Sequence, residues 1–211
     1  NTAVENKNAA PTKNWAEVFA KAPPGGTNWT KGSPTATVTI EEFADFQCPT
    51  CAQMHPRVNE IRSTFGDRVR IVFRQFPLTG HRWGYDAACA AEAAGMQGKF
   101  WEMQNLLFNN QQTWANSSDA RALFMEYAKT LGLNVEQFSN DMIGLPVKNR
   151  VDGDIQRGRA VGVSSTPSFY INNKPLGNNL DGLKAAVEKA LQEAEAPKPA
   201  APETNSNSSN K

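Results

Sequence analysis

The chain has 211 residues, and its 22 basic and 21 acidic side chains leave a formal net charge of +1. This balance argues against a protein that binds nucleic acid by neutralising its phosphates. No stretch of the sequence approaches the roughly 18 consecutive apolar residues that span a bilayer, and three cysteines are too few for a disulfide scaffold.

Both ends of the chain have compositions that predict little packed structure. Residues 1–34 are rich in Asn, Thr, Lys, Pro and Gly, with one short amphipathic piece at 15–21, and we predict a flexible N-terminal extension. Residues 196–211 contain no large apolar side chain, so they cannot bury enough surface to offset their ordering entropy, and they are predicted to be disordered. The chain begins with Asn1, which we interpret as the removal of a secretory signal.

The first predicted strand covers residues 37–43, which alternate and are rich in β-branched side chains. Glu42 falls on the same face of this strand as Val38 and Ile40. A carboxylate therefore continues an apolar row that is expected to point inward.

Two further segments complete a predicted βαβ unit with parallel strands, a helix over 48–65 and a strand over 69–76. Residues 78–144 then have a helical pattern throughout. Another long helix, a short hairpin and a last amphipathic helix follow, beginning near residues 146, 167 and 180. The simplest architecture is an α/β fold in which a mixed sheet is covered by helices and interrupted by a helical insertion.

The sequence Cys48-Pro49-Thr50-Cys51 lies at the predicted junction of a strand and a helix. Unpaired N–H groups and the helix dipole favour an anion at a helix N-terminus, so the pKa of the Cys48 thiol should be lowered. Proline is well placed in the first turn, where a missing N–H costs nothing. Cys51 lies one turn inside the helix and is expected to be the buried, resolving thiol. The pair therefore indicates thiol–disulfide exchange.

A metal site and a structural disulfide are the alternative interpretations of this pair. Zinc usually takes four ligands, and the remaining candidates His55, His81 and Cys89 form no second ligand pair. A disulfide that closes a four-residue loop would constrain the unfolded chain little. A copper-handling module that uses Cys48, Cys51 and His55 stays open as the alternative of a different class.

Three stretches of the sequence resemble the DsbA-like thiol–disulfide oxidoreductases of the thioredoxin superfamily, and the likeness is closest to secreted bacterial members. They are EEFADFQCPTCAQMHP, GKFWEMQNLLF and GVSSTPSFYINN. The resemblance spans about residues 34–192 and implies an extracytoplasmic protein, in the bacterial periplasm or at the exterior of the cell envelope. It also implies a thioredoxin-fold domain over 35–77 and 146–195, with a helical domain inserted at 78–145.

The resemblance also implies roles for individual residues. Cys48 matches the exposed nucleophile of the family, and Cys51 matches its buried partner. Thr166 and Pro167 match a cis-proline loop opposite the disulfide, where a substrate strand binds. Glu42 matches a buried carboxylate under the active site, which can accept or deliver the proton of Cys51.

Pro49 and Thr50 separate the two cysteines, whereas the best-known oxidases of this family have Pro-His at these positions. Threonine can donate a hydroxyl hydrogen bond but cannot carry positive charge. We expect an oxidase of exported proteins, and a reductase or isomerase with the same site remains the alternative. The expected partners are cysteine-containing protein substrates and a membrane redox partner. We also expect a monomer without cofactor, bound metal or nucleic acid, in which Cys89 is a shielded thiol.

Overall fold

The computed structural model describes residues 13–26, 29–177 and 179–196. Within them a five-stranded sheet has the spatial order β1-β3-β2-β4-β5. The strands are β1 (Trp29–Lys31), β2 (Val38–Ala44), β3 (Val69–Gln75), β4 (Ser168–Ile171) and β5 (Lys174–Pro175). The pair β2·β3 is parallel, and the pairs β1·β3, β2·β4 and β4·β5 are antiparallel. The predicted mixed sheet with a parallel βαβ unit is therefore confirmed.

Helices cover this sheet and form a separate block after β3. They are α1 (Trp15–Lys21), α2 (Pro49–Phe65), α3 (Gly84–Met96), α4 (Phe100–Asn109), α5 (Gln111–Ala115), α6 (Ala120–Thr130), α7 (Val135–Ile143), α8 (Leu145–Val161) and α9 (Leu183–Glu195). The predicted helical insertion is confirmed by α3–α7, although the short helix α5 was not predicted. None of the helices in the described part of the chain is long and apolar enough to cross a membrane.

Alanine-rich α3 lies at the centre of the helical block, and its side chains are buried on nearly every side. Small side chains let α4, α6, α7 and α8 all pack against it. One apolar core runs from these helices to the start of α2, where it includes Cys48 and Cys51. The packing of the inserted block therefore reaches the predicted active site.

The prediction of a flexible extension over residues 1–34 is wrong for its second half. Trp29 on β1 stacks on Phe100, with ring centroids 4.3 Å apart, and its Nε1 donates to Glu92 Oε1 over 2.8 Å. Phe19 on α1 packs against Tyr170, with ring centroids 4.9 Å apart. A polar average composition conceals these aromatic anchors, which hold the segment to the sheet and to the helical block. Residues 1–12 and the predicted disordered tail from residue 197 onward lie outside the described residues.

Three charged side chains are buried where α8 packs on the sheet, and a fourth, that of Arg157, is partly buried there. Arg74 donates to Glu41 over 2.7 Å and to Asp154 over 3.0 Å, and Arg157 donates to Glu41 over 2.6 Å. Burial alone would raise the pKa of Glu41, but hydrogen bonds and charge from both arginines lower it overall. The carboxylate is therefore ionised and paired, as a buried charge must be.

Candidate active site

The Cys-x-x-Cys segment lies at the N-terminus of α2, as the sequence predicts. Cys48 is the N-cap residue, with extended backbone angles, and Pro49 occupies the first helical turn. The Cys48 N–H donates to the Asp45 carbonyl over 3.0 Å, and the Cys48 carbonyl accepts from the Ala52 N–H over 3.2 Å. The sulfur is therefore held at the positive end of a 17-residue helix.

Cys48 has a thiol that ionises far more readily than a free cysteine. A hydrogen bond from the Cys51 side chain is the largest cause of this shift, and burial opposes it. Further hydrogen bonds from Thr166 and from the backbone N–H groups of Cys51 and Thr50 also favour the anion. Together they lower the pKa of Cys48 to about 5. Cys48 is only 6% exposed, less open than the family resemblance implies. Thiolate is thus the main form of this side chain at neutral pH.

Cys51 has the opposite electrostatic environment. Its side chain is fully buried. Burial, followed by the hydrogen bond and the charge of Cys48, raises the pKa of Cys51 well above its usual value. At neutral pH the Cys48 sulfur is therefore a stabilised anion, whereas the Cys51 sulfur is a protonated thiol inside the core.

Glu42 is buried in the middle of β2, as its predicted strand face requires. It is 3% exposed and lies between its register partners Phe73 and Phe169. Burial raises the pKa of Glu42 to about 8, and the carboxyl group is close enough to Cys51 that its charge raises the pKa of that thiol. At pH 7 the Glu42 side chain therefore holds a proton beside the inner sulfur.

The loop before β4 lies against the outer sulfur. The Thr166–Pro167 peptide bond is cis. The Cys48 sulfur lies 3.3 Å from the Thr166 carbonyl oxygen, a distance at which the protonated thiol can donate to that carbonyl, whereas the thiolate has no hydrogen to give. Pro49 and Thr50, by contrast, are exposed beside the two buried cysteines. Six of the seven site residues predicted from the sequence thus lie together around the start of α2, and the seventh, Glu42, acts on the pKa of Cys51 from β2.

His55 has its contacts with residues outside the cysteine pair. Its Nε2 atom is 2.8 Å from Asn105 Oδ1 and 3.2 Å from Asn59 Nδ2, and its ring packs on Phe108. Burial lowers the pKa of His55, so the ring is neutral. Residues 13–26, 29–177 and 179–196 contain no cluster of three or more His, Cys, Asp or Glu side chains that could hold a metal ion. The copper-handling alternative would need a His55 ring that is here bonded to Asn105 and Asn59.

Asp45 and Gln47 hold the active-site loop in place through partners that no sequence pattern indicates. Asp45 Oδ2 accepts from the Leu78 N–H over 2.8 Å and lies 2.5 Å from His81 Nδ1. Gln47 Oε1 accepts from the Trp83 N–H over 2.7 Å. These partners come from the segment that enters the helical block, so no local pattern around the cysteines could reveal them.

An open hollow of about 250 Å³ borders the cysteine pair on the side of the helical block. Apolar side chains and neutral amides line it together, and no charged side chain of the described residues is among them. It is formed by Pro49, Ala52, Gln53, Phe108, Asn109, Gln111 and Gln112.

The third cysteine, Cys89, lies inside α3, 2% exposed. Burial, followed by the charge of Asp86, raises the pKa of Cys89 to about 12, which makes the thiol unreactive at neutral pH. We expect one free thiol per chain in oxidised, denatured protein, counted with a thiol reagent. The Cys89→Ser variant is the control and should give none. A wild-type count of zero would contradict the shielding of Cys89.

A family model described as Thioredoxin matches residues 25–189. Over 147 residues the chain is 37% identical to the Na(+)/H(+) antiporter NhaA 1 of Mycolicibacterium gilvum, a match that covers 68% of this chain and 23% of that protein. The chain thus spans about a quarter of the length of the curated relatives it matches.

Two solved structures are similar over most of their length. A thioredoxin-like oxidoreductase from Silicibacter pomeroyi is 27% identical, with a TM-score of 0.67, over 85% of this chain and 99% of that one. The alpha-DsbA1 protein of Wolbachia pipientis is 21% identical, with a TM-score of 0.71, over 84% of this chain and 97% of that one.

Proposed function

Since the chain belongs to the thioredoxin family and has the fold of its DsbA-like thiol–disulfide oxidoreductases, we propose that it oxidises pairs of cysteine thiols in exported proteins. The observation that carries this proposal is the opposed ionisation of its two active-site sulfurs. The pKa of Cys48 is lowered to about 5, whereas the pKa of Cys51 is raised. A thiolate that is stable in the reduced protein makes the disulfide form a stronger oxidant.

In the first step, a thiolate of the substrate attacks the sulfur of Cys48 in the Cys48–Cys51 disulfide. A bond forms between the substrate sulfur and Cys48, the bond between Cys48 and Cys51 breaks, and the electron pair goes to the Cys51 sulfur. Glu42 is protonated at pH 7, because its pKa is about 8, and it can supply the proton that converts Cys51 to a thiol.

In the second step, another thiolate of the substrate attacks the substrate sulfur of the mixed disulfide. The substrate leaves with a disulfide, and Cys48 is released as a thiolate. Two electrons have then passed from the substrate to the protein. The low pKa of Cys48 makes it the better leaving group in this step.

Thr166 is proposed to hold the substrate during both steps. Its carbonyl lies 3.3 Å from the Cys48 sulfur in the dithiol form. In the disulfide, as in the thiolate, Cys48 has no S–H to donate, so this carbonyl is available to a backbone N–H of an extended substrate segment. Pro167, which follows it, has no N–H that competes for the same substrate.

We further propose that the protein works as a monomer outside the cytoplasm and is reoxidised by a membrane redox partner. Each turnover leaves the dithiol, so an oxidant has to remove two electrons before the next one. An oxidising compartment lets protein disulfides persist, and burial of Cys89 suits an odd thiol in such a compartment.

The reduction potential of the Cys48–Cys51 couple, measured in glutathione buffers, tests the direction of the reaction. A strong oxidase should lie near −120 mV, whereas thioredoxin lies near −270 mV. We expect a value well towards the oxidising end and oxidative refolding of a reduced model protein. A potential near that of thioredoxin would assign the reductase direction instead.

We expect Cys48 to be the only thiol that reacts quickly with an alkylating reagent at neutral pH. Its pKa of about 5 makes it a thiolate there, whereas the raised pKa values of Cys51 and Cys89 keep those two groups protonated. Thiolate absorbance should titrate with a midpoint near pH 5 and vanish from that range in Cys48→Ser. Mass mapping that finds the label first on Cys51 or Cys89 would overturn the assignment.

A further inference from the structure

Gln111 connects the inserted helical block to the cysteine that performs the chemistry. It lies at the start of α5, where its side chain is 4% exposed. Its Nε2 atom donates to the Phe46 carbonyl over 2.7 Å and to the Cys48 carbonyl over 2.9 Å. One amide group thus contacts the backbone on both sides of Gln47.

The orientation of this amide follows from its partners. Both neighbours are carbonyl oxygens, which can only accept hydrogen bonds, so the NH₂ end of Gln111 and not its oxygen must face them. The two hydrogens of that NH₂ group match the two acceptors. Replacing the side chain by one without donors would leave the buried Phe46 carbonyl without this partner.

The bond to the Cys48 carbonyl acts where α2 begins. That carbonyl also accepts the first hydrogen bond of the helix, from the Ala52 N–H. Its position therefore fixes the first turn, whose Thr50 and Cys51 N–H groups favour the Cys48 thiolate. If the carbonyl shifts, the N–H groups and the sulfur lose their alignment.

We propose that Gln111 is a positioning residue for disulfide exchange, which holds the Cys48 backbone so that the first turn of α2 stabilises the thiolate. The inference rests on the proposed function, and it adds that the helical insertion takes part in setting the reactivity of the redox couple. Gln111 acts through the backbone of Cys48, because its amide donates to two backbone carbonyls and not to either sulfur.

The test is Gln111→Met, which keeps the length of the side chain and removes both donors. We expect the midpoint of Cys48 ionisation, followed by thiolate absorbance, to rise by about one pH unit, which is a tenfold weaker ionisation equilibrium. This readout needs no substrate, so it fails or succeeds independently of the proposed function. Alkylation of Cys48 at pH 5 should slow in proportion.

Gln97→Met is the matched control. Like Gln111, Gln97 makes two hydrogen bonds to backbone through its side-chain amide. It donates to the Asn134 carbonyl and accepts from the Asn134 N–H, so its partners are not the backbone of the cysteine segment. Its substitution should leave the Cys48 midpoint unchanged.

Gln111→Asn is the second variant, to be used if Gln111→Met fails to fold. It keeps a polar amide at this position, but its side chain is one carbon too short to reach both carbonyls. The same upward shift is expected there. A wild-type midpoint in Gln111→Met, or in Gln111→Asn when only that variant folds, would overturn the proposal, as would an equal shift in Gln97→Met.

Discussion

Cys48→Ser should abolish disulfide exchange with protein substrates, with a rate loss of at least about a thousandfold, equivalent to ~4 kcal/mol of transition-state free energy. A serine hydroxyl is not ionised at neutral pH and cannot form the mixed disulfide, whereas the Cys48 thiol has a pKa of about 5 and is already an anion. The measurement is the rate of oxidative refolding of a reduced protein. Thiolate absorbance should lose its low-pH transition in the same variant.

Cys51→Ser separates the two thiols of the pair. Cys48 keeps its place at the helix N-terminus in this variant, so its thiolate should attack the disulfide of an oxidised substrate and expel a substrate thiolate. The mixed disulfide that results has no inner thiol to resolve it. Substrate-linked protein should therefore accumulate and be visible as a band that a reductant removes. Cys89→Ser is the matched control, because that thiol is buried inside α3 and should leave both readouts unchanged. If Cys48→Ser kept full exchange activity, Cys48 could not be the sulfur that reacts with the substrate.

The chemistry of the cysteine pair could be predicted because it depends on local structure. A helix N-terminus is encoded within a few residues of Cys48, and the structure places that residue as the N-cap of α2. The mixed sheet was also predictable, because β2, α2 and β3 carry clear periodic patterns.

Glu42 was predicted from strand alternation, but alternation explains only part of its burial. Its neighbours Glu41 and Phe43 point to the other face of β2, and they too are buried, 6% and 0% exposed. Helices and segments on both sides cover this central strand, as is usual where parallel strands are involved. Glu41 and Glu42 therefore differ by their partners and not by their exposure.

The strand β1 and the contact of Gln111 could not be predicted, because both depend on residues distant in sequence. β1 is three residues long, and its Trp29 is held by Phe100 and Glu92 from the helical block. Gln111 lies 63 residues from Cys48, in a five-residue helix with no periodic pattern to mark it. Such contacts exist only once the tertiary fold has formed.

Glu42→Gln should stabilise the folded protein at neutral pH. The pKa of Glu42 is about 8 in the folded protein, against an ordinary value of 4.5. Between these values the folded state binds more protons than the unfolded state, so the contribution of Glu42 to stability falls as pH rises. From the ordinary pKa of 4.5 up to pH 7 the folded protein loses about 3 kcal/mol of stability, since each pH unit corresponds to about 1.4 kcal/mol. Glutamine is neutral in both states, so a protein with glutamine at this position does not lose this stability.

Glu42→Gln should also slow the exchange reaction, because glutamine cannot give a proton to the Cys51 sulfur when it leaves. The free energy of unfolding, measured in urea with both proteins in the same redox form, checks the first effect. The gain should shrink towards zero below pH 4.5, where Glu42 is protonated in both states.

Glu41→Gln supplies the contrast from the neighbouring position. Hydrogen bonds and charge from Arg157 and Arg74 outweigh burial and lower the pKa of Glu41, so its contribution to stability is present at neutral pH and is lost as pH falls. That substitution leaves the buried guanidinium group of Arg74 and the partly buried one of Arg157 with one partner fewer each, and it should destabilise the protein at pH 7. If Glu42→Gln raises the free energy of unfolding at pH 7 and Glu41→Gln lowers it, each effect must come from the environment of that one carboxyl group. A pH-independent difference between wild type and Glu42→Gln would show that the Glu42 carboxyl is not held protonated beneath the cysteines.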